Sequence, residues 1–278
     1  MSGAVPGTER VTLPYGAGPS QLAPNHPARA RCLSPPVPSS DSTPDARLRF
    51  YHDLAGRSRW HGSRATLRPA DEQYFPGDGL PAVFARALCL RAATNPKELL
   101  EATEVFALAR KAVRRPVVAD LCCGHGLAGI LFAVFERSVE RVVLVDRERP
   151  PSADLVLAAA ADVAPWAPPK IEWREQALKR VELEPNTGVI AIHACGLRTD
   201  ASLRIAVECE GPFAALPCCR PHRTHPAPEG LKLALGADVA IDVDRTYTLE
   251  RAGYQVRWKP IAETITPMNR VLVATRRR

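Results

Sequence analysis

The sequence predicts an α/β fold: a doubly wound, mostly parallel sheet of seven strands with an antiparallel C-terminal strand, preceded by a helical region. Three observations carry this reading. From residue 116 onward, short apolar runs alternate with helical patterns, as in parallel strands joined by crossover helices. The first run, Val117–Leu121, breaks into Cys122-Cys123-Gly124-His125-Gly126 and resumes as a helical pattern from Leu127 to Phe135. The chain closes on two strand patterns, Tyr254–Pro260 and Arg270–Thr275, joined by a hairpin.

The 278 residues suffice for one domain of ordinary size and an appendage. Net charge is a modest +7, without long acidic or basic runs. The eight cysteines include two adjacent pairs and show no framework spacing, which argues against a secreted disulfide scaffold. No apolar run approaches membrane-spanning length, and no basic segment followed by an apolar stretch opens the chain. A cytoplasmic protein is expected.

Residues 1–45 are rich in Pro, Gly, Ser and Ala, a composition that buries too little apolar surface to offset its ordering entropy; this segment reads as a disordered tail. Residues 46–115 read as a helical N-terminal region. Asn95-Pro96 is a helix start, with Asn as cap and Pro in the first turn, and that helix runs to about Ala112. Thirteen Arg and Lys against seven Asp and Glu place most of the net charge here. Arg47, Arg49, Arg57, Arg59, Arg64 and Arg68 interleave with Phe50, Tyr51, Trp60 and His61, a pattern that fits either an RNA-binding face or a solvated helical cap.

Residues 116–278 form the domain that carries the chemistry. Its strands are read as 117–121, 139–146, 171–175, 188–193, 213–219, 254–260 and 270–275, with an Ala-rich helix at 152–163 and another around 243–252. The glycines after the first strand let the backbone approach a ligand, and the helix end offers N–H donors. Gly124-x-Gly126-x-x-Gly129 matches the dinucleotide fingerprint, so NAD is one candidate cofactor. Asp120-x-Cys122-x-Gly124-x-Gly126 also fits the first motif of class I methyltransferases, an acid followed by alternating small residues. An acid at the strand end suits the ammonium of S-adenosylmethionine (SAM) and sits badly beside a pyrophosphate. SAM is therefore preferred, held by Asp120, Cys122, Gly124, Gly126 and Leu127. Asp146, about twenty residues on, is placed to accept from ribose hydroxyls, with Arg147 beside it; Gln176 and Ala177 fall where such folds contact adenine.

His193-Ala-Cys-Gly196 follows the fourth strand and Pro217-Cys-Cys-Arg-Pro-His222 the fifth, so the two loops face one another across the ligand crevice. Their Cys and His residues suggest zinc. Adjacent cysteines bind one ion with difficulty, however, and no Cys-x-x-Cys occurs, so no metal ligand is assigned. His193 is the candidate general base, close enough to reach the cofactor as well, and His222 is a second catalytic candidate. Cys218, Cys219, Arg220, Asp242, Arg245, Asn269 and Arg270 are candidate acceptor contacts.

His193-Ala-Cys-Gly196 with Thr199-Asp200, then Pro217-Cys218-Cys219, resembles one branch of SAM-dependent methyltransferases. That branch includes uncharacterised bacterial proteins, a domain fused to a glutathione-transferase-like protein in animals, and eukaryotic tRNA acceptor-stem 2′-O-methyltransferases. The bacterial group is similar in Val145-Asp-Arg147, Ala240-Ile-Asp242 and Ile265-Thr-Pro-Met-Asn-Arg270, and the likeness spans residues 116–275. It implies a Rossmann-like class I methyltransferase fold and SAM-dependent methyl transfer. The extra Cys/His zinc modules of the eukaryotic tRNA enzymes are absent. The acceptor is left as RNA, or as a protein or small molecule. A non-catalytic SAM-binding protein and an NAD-binding oxidoreductase are the alternatives.

Overall fold

The computed structural model describes residues 64–277. The expected tail and the arginines from Arg47 to Arg59 lie outside the described residues. The chain forms one seven-stranded sheet: β1 (Val117–Leu121), β2 (Arg141–Asp146), β3 (Ile171–Glu175), β4 (Gly188–Ile192), β5 (Phe213–Leu216), β6 (Tyr254–Pro260) and β7 (Arg270–Arg276). Their order is β3-β2-β1-β4-β5-β7-β6. Strands β1 to β5 pair in parallel, and β7 runs antiparallel to both β5 and β6. This is the mostly parallel, Rossmann-like sheet of the class I methyltransferase fold.

The central strands β1, β2, β4 and β5 are apolar on both faces because helices cover both. Side chains alternate as a pleated strand requires. Val118, Leu144, Ile190 and Leu216 join one buried cluster, whereas Ala119, Val145, Val189 and Phe213 join the other. The first cluster takes in α1 (Leu80–Leu90), α2 (Pro96–Val113), α3 (Leu127–Phe135) and α4 (Pro151–Val163), and the second takes in α5 (Arg198–Glu208) and part of α7 (Ala237–Arg251). The short α6 (Glu229–Leu235) precedes α7 and was not foreseen from the sequence. Among the described residues no helix is long and apolar enough to cross a membrane.

Helix α2 matters most for the site. Asn95 caps it by accepting the Glu98 N–H at 2.8 Å, as the Asn-Pro pair predicts. Phe106 stacks edge-on to Phe132 of α3, with ring centroids 5.0 Å apart, and Arg110 and Arg114 both pair with Glu136 just beyond α3. The α2 C-terminus sits directly on β4: a Cβ on Gly188 would collide with the Val113 carbonyl oxygen. Gly188→Ala should therefore lower the unfolding free energy by about 1–3 kcal/mol, the usual effect of overpacking. Urea melts measure this, and an unchanged midpoint would place α2 off β4.

Candidate functional site

In open parallel sheets, ligands bind outside the strand carboxyl ends where the strand order reverses, here between β1 and β4. A cleft of about 800 Å³ opens at that place. Both strands end in left-handed backbone without glycine: Cys122 has φ +59° and His193 φ +60°. Such conformations are strained for L-residues and persist where the surroundings impose them.

The turn after β1 engages its own donors. The Gly124 N–H donates to Asp146 Oδ2 at 2.8 Å, Gly126 N–H to the Cys123 carbonyl at 2.8 Å, Leu127 N–H to His125 Nδ1 at 3.3 Å and Gly129 N–H to Asp120 Oδ2 at 2.9 Å. The expected donor cradle at the start of α3 is thus largely occupied from within. Gly126 departs from its expected role too. At φ +78° its missing Cβ would point at Leu144 Cδ1, 2.7 Å away, so this glycine lets the turn pack on β2. Gly124, at φ +56° with nothing within 4 Å of a Cβ position, is the glycine that leaves space open on the cleft.

Acidic groups line the cleft instead. Asp120 is buried at the end of β1; burial raises its carboxyl, the Gly129 N–H opposes this and the Asp146 charge adds to it, which leaves it at about 7. Asp146 ends β2 and also accepts the Arg147 N–H at 2.7 Å, so each of its oxygens holds one bond and keeps a second lone pair. Gln176 and Ala177, beyond β3, complete this side of the cleft with Leu127 and Cys122. The exposed cations Arg147, Lys179, Arg198 and Arg204 also border it.

Two glutamates of α2, one helical turn apart and so on one face, each hold a histidine of a cleft loop. Glu98 Oε2 lies 2.8 Å from His125 Nε2, in the turn after β1. Glu101 Oε2 lies 2.7 Å from His193 Nε2, after β4, while Lys97 reaches Glu101 Oε1 at 2.6 Å. Glu101 is almost fully buried. Burial drives its carboxyl upward, but hydrogen bonds and charge from His193 and Lys97 outweigh this and hold it below the ordinary value. With the carboxylate on Nε2, the neutral ring carries its proton there and leaves Nδ1 as the acceptor. Sequence reading missed Glu98, Glu101 and His125. The available signal was the i,i+3 glutamate pair after a strong helix start and a histidine inside the β1 turn.

The remaining candidates lie elsewhere. His222 pairs with Asp238 at 2.7 Å, half-exposed and outside the cleft lining; the short β5 and its Pro-bounded loop carry it away from the strand end. Arg220 binds Asp242 through two bonds of 2.9 and 2.8 Å, Arg245 binds Asp200 through two of 2.9 Å, and Arg270 reaches Asp242 at 2.6 Å. These charges pair with one another and stitch α5, the β5 loop, α7 and β7 together; Arg220, Asp242 and Arg245 are buried. Asn269 donates to the Ile261 carbonyl at 3.0 Å and braces the β6–β7 connection. Cys218 and Cys219 stand outside the cleft lining, where they meet Cys195 from the β4 loop. The three sulfurs, which the sequence reading left without a metal role, lie within 4.8 Å of one another.

No protein-family model and no curated protein matches this chain. Solved structures similar to it include the methyltransferase domain of bacterial CtHen1 (17% identity, covering 63% of this chain and 97% of that one, TM-score 0.40). Geranyl diphosphate C-methyltransferase from Streptomyces coelicolor is 11% identical over 87% of this chain and 100% of its own, with TM-score 0.43. The antibiotic-resistance methyltransferase Kmr is 17% identical over 60% and 89%, with TM-score 0.41. Likeness of this degree adds nothing beyond the sheet order already described.

Glu98 supplies a test of the α2 clamp. The His125 hydrogen bond, opposed by burial, brings its carboxyl from the ordinary 4.5 down to about 2. A depressed carboxyl contributes stability that is present above the unfolded value and lost as pH falls through the folded one. The stability gap between wild type and Glu98→Gln should be widest above pH 4.5 and close towards pH 2. Solvent at this partly exposed group limits the gap to roughly 1 kcal/mol. Urea melts across that range check it, and a pH-independent gap would rule out the Glu98–His125 pair as its source.

Proposed function

We propose that this chain is a SAM-dependent methyltransferase acting on a protic acceptor, an O–H or N–H group. The observation that carries the reading is the occupied turn after β1, which faces the cleft with carboxylates. A pyrophosphate needs free N–H donors, and here four are engaged internally beside Asp120 and Asp146. A cationic ligand suits the same site, because a buried carboxyl held up at about 7 gains its counter-ion on binding.

The residues present fit SAM. Asp120 would meet its ammonium, Asp146 its ribose hydroxyls, Gln176 and Ala177 its adenine edge, and the space beside Gly124 its close passage across the β1 turn. Bound there, SAM supplies a methyl group already activated by positively charged sulfur. The protein's own work is then alignment, exclusion of water and removal of one proton. His193 Nδ1 takes that proton, and Glu101 fixes the ring and stabilises the imidazolium that forms. The cations Arg147, Lys179, Arg198 and Arg204 on the rim favour an anionic acceptor, which supports RNA over a neutral small molecule.

Transfer of a tritiated methyl group from SAM to total RNA, protein extract and small-molecule fractions tests the reading. Label is expected in RNA, and His193→Asn should abolish it while leaving SAM binding intact. No label in any fraction, with SAM bound, would reduce the protein to a SAM-binding module. Asp146→Ala should weaken SAM by about 1.5–3 kcal/mol, the worth of hydrogen bonds to a charged group. Calorimetry measures it, and a loss below about 0.5 kcal/mol would mean that the ribose lies elsewhere.

A further inference from the structure

We propose that Cys195, Cys218 and Cys219 bind a thiophilic divalent ion of the Zn²⁺ type at the mouth of the cleft. Tetrahedral zinc with bonds of about 2.3 Å sets its sulfurs roughly 3.8 Å apart. The Cys195 and Cys218 sulfurs lie 2.9 Å apart, and no pair in the triad exceeds 4.8 Å. The required spacing falls between those limits, within reach of small side-chain rotations. Adjacency of Cys218 and Cys219 is no obstacle, because their two sulfurs already lie within 4.8 Å of each other and of Cys195.

Contacts outside the triad hold both loops in place. Thr199 Oγ1 donates to the Ala194 carbonyl at 2.7 Å, and the His193 N–H donates to Leu216 at 3.2 Å, joining the ends of β4 and β5. Arg220, next to Cys219, is fixed by the two hydrogen bonds it donates to Asp242. The Gly196 N–H donates to Cys219 Sγ at 3.3 Å.

Binding is an acid–base step with no redox change. Three thiols release three protons to solvent as three metal–sulfur bonds form. Three protein ligands leave the fourth position to water, in the manner of an open site. Cys195 also lines the cleft, which sets the triad at the cleft's edge.

The test uses the full chain, purified under reductant without chelator and dialysed against metal-free buffer. Elemental analysis should find about one zinc per chain. The triple variant Cys195→Ser, Cys218→Ser, Cys219→Ser should lose it, whereas Cys32→Ser, outside the described residues, should keep it. Should the triple variant not fold, Co²⁺ added to metal-free wild type reads the same site, through thiolate-to-cobalt charge-transfer absorption and the intense visible bands of tetrahedral cobalt. Sub-stoichiometric zinc without a cobalt–thiolate band would overturn the proposal. So would zinc retained in a folded triple variant, or a Cys195–Cys218 disulfide in protein handled without oxidant.

Discussion

The cleft depends on one helix placing two carboxylates. Glu98 and Glu101 reach from α2 to His125 and His193, each the histidine of a different strand-end loop. Those loops close β1 and β4, the strands between which the sheet order reverses, and both contain a non-glycine residue in left-handed backbone. Strain of that kind needs outside support, and the two glutamate–histidine pairs supply it. Helix α2 is fixed in turn by the Asn95 cap, the Phe106–Phe132 contact and the close approach of Val113 to Gly188. Helix α2, which precedes the sheet, is thus part of the site's wall.

This arrangement sets the chemistry of the crevice. A Gly-rich strand–turn–helix unit is compatible with phosphate or with a cation, and the difference lies in where its N–H groups point. Here they point at Asp146, Asp120, His125 and the Cys123 carbonyl. At the β1 turn a ligand meets the second lone pairs of Asp146 with the Asp120 carboxyl beside them, and the cations Arg147, Lys179, Arg198 and Arg204 stand on the rim. On the opposite side, Glu101 orients the His193 ring through Nε2.

Much of this architecture was readable from the chain. The first strand, α3, the Asn95 cap and the closing hairpin follow from periodicity, capping chemistry and turn residues, which act locally. Strand five was read three residues too long, because Pro217-Cys-Cys219 is apolar yet leaves the ladder at Leu216. Residues whose roles depend on partners distant in sequence were not readable. Arg220, Asp242 and Arg245 look like solvent-facing site residues until the fold buries them, Arg220 against Asp242 and Arg245 against the partly buried Asp200. Glu101 and His193 are 92 positions apart, and no spacing rule joins them. Gly126 fits a ligand-binding pattern, although its missing side chain faces Leu144.

Proton release on SAM binding tests the central claim most directly. If Asp120 titrates at about 7 in the free protein and must ionise to hold an ammonium, binding expels a proton below that pH. Affinity should then weaken by up to about tenfold per pH unit as pH falls below about 7. Calorimetry in buffers of different ionisation enthalpy reads both quantities. The account predicts release approaching one proton per SAM near about pH 6 and no saturable heat with NAD. SAM binding without proton exchange, or NAD binding more tightly than SAM, would contradict it.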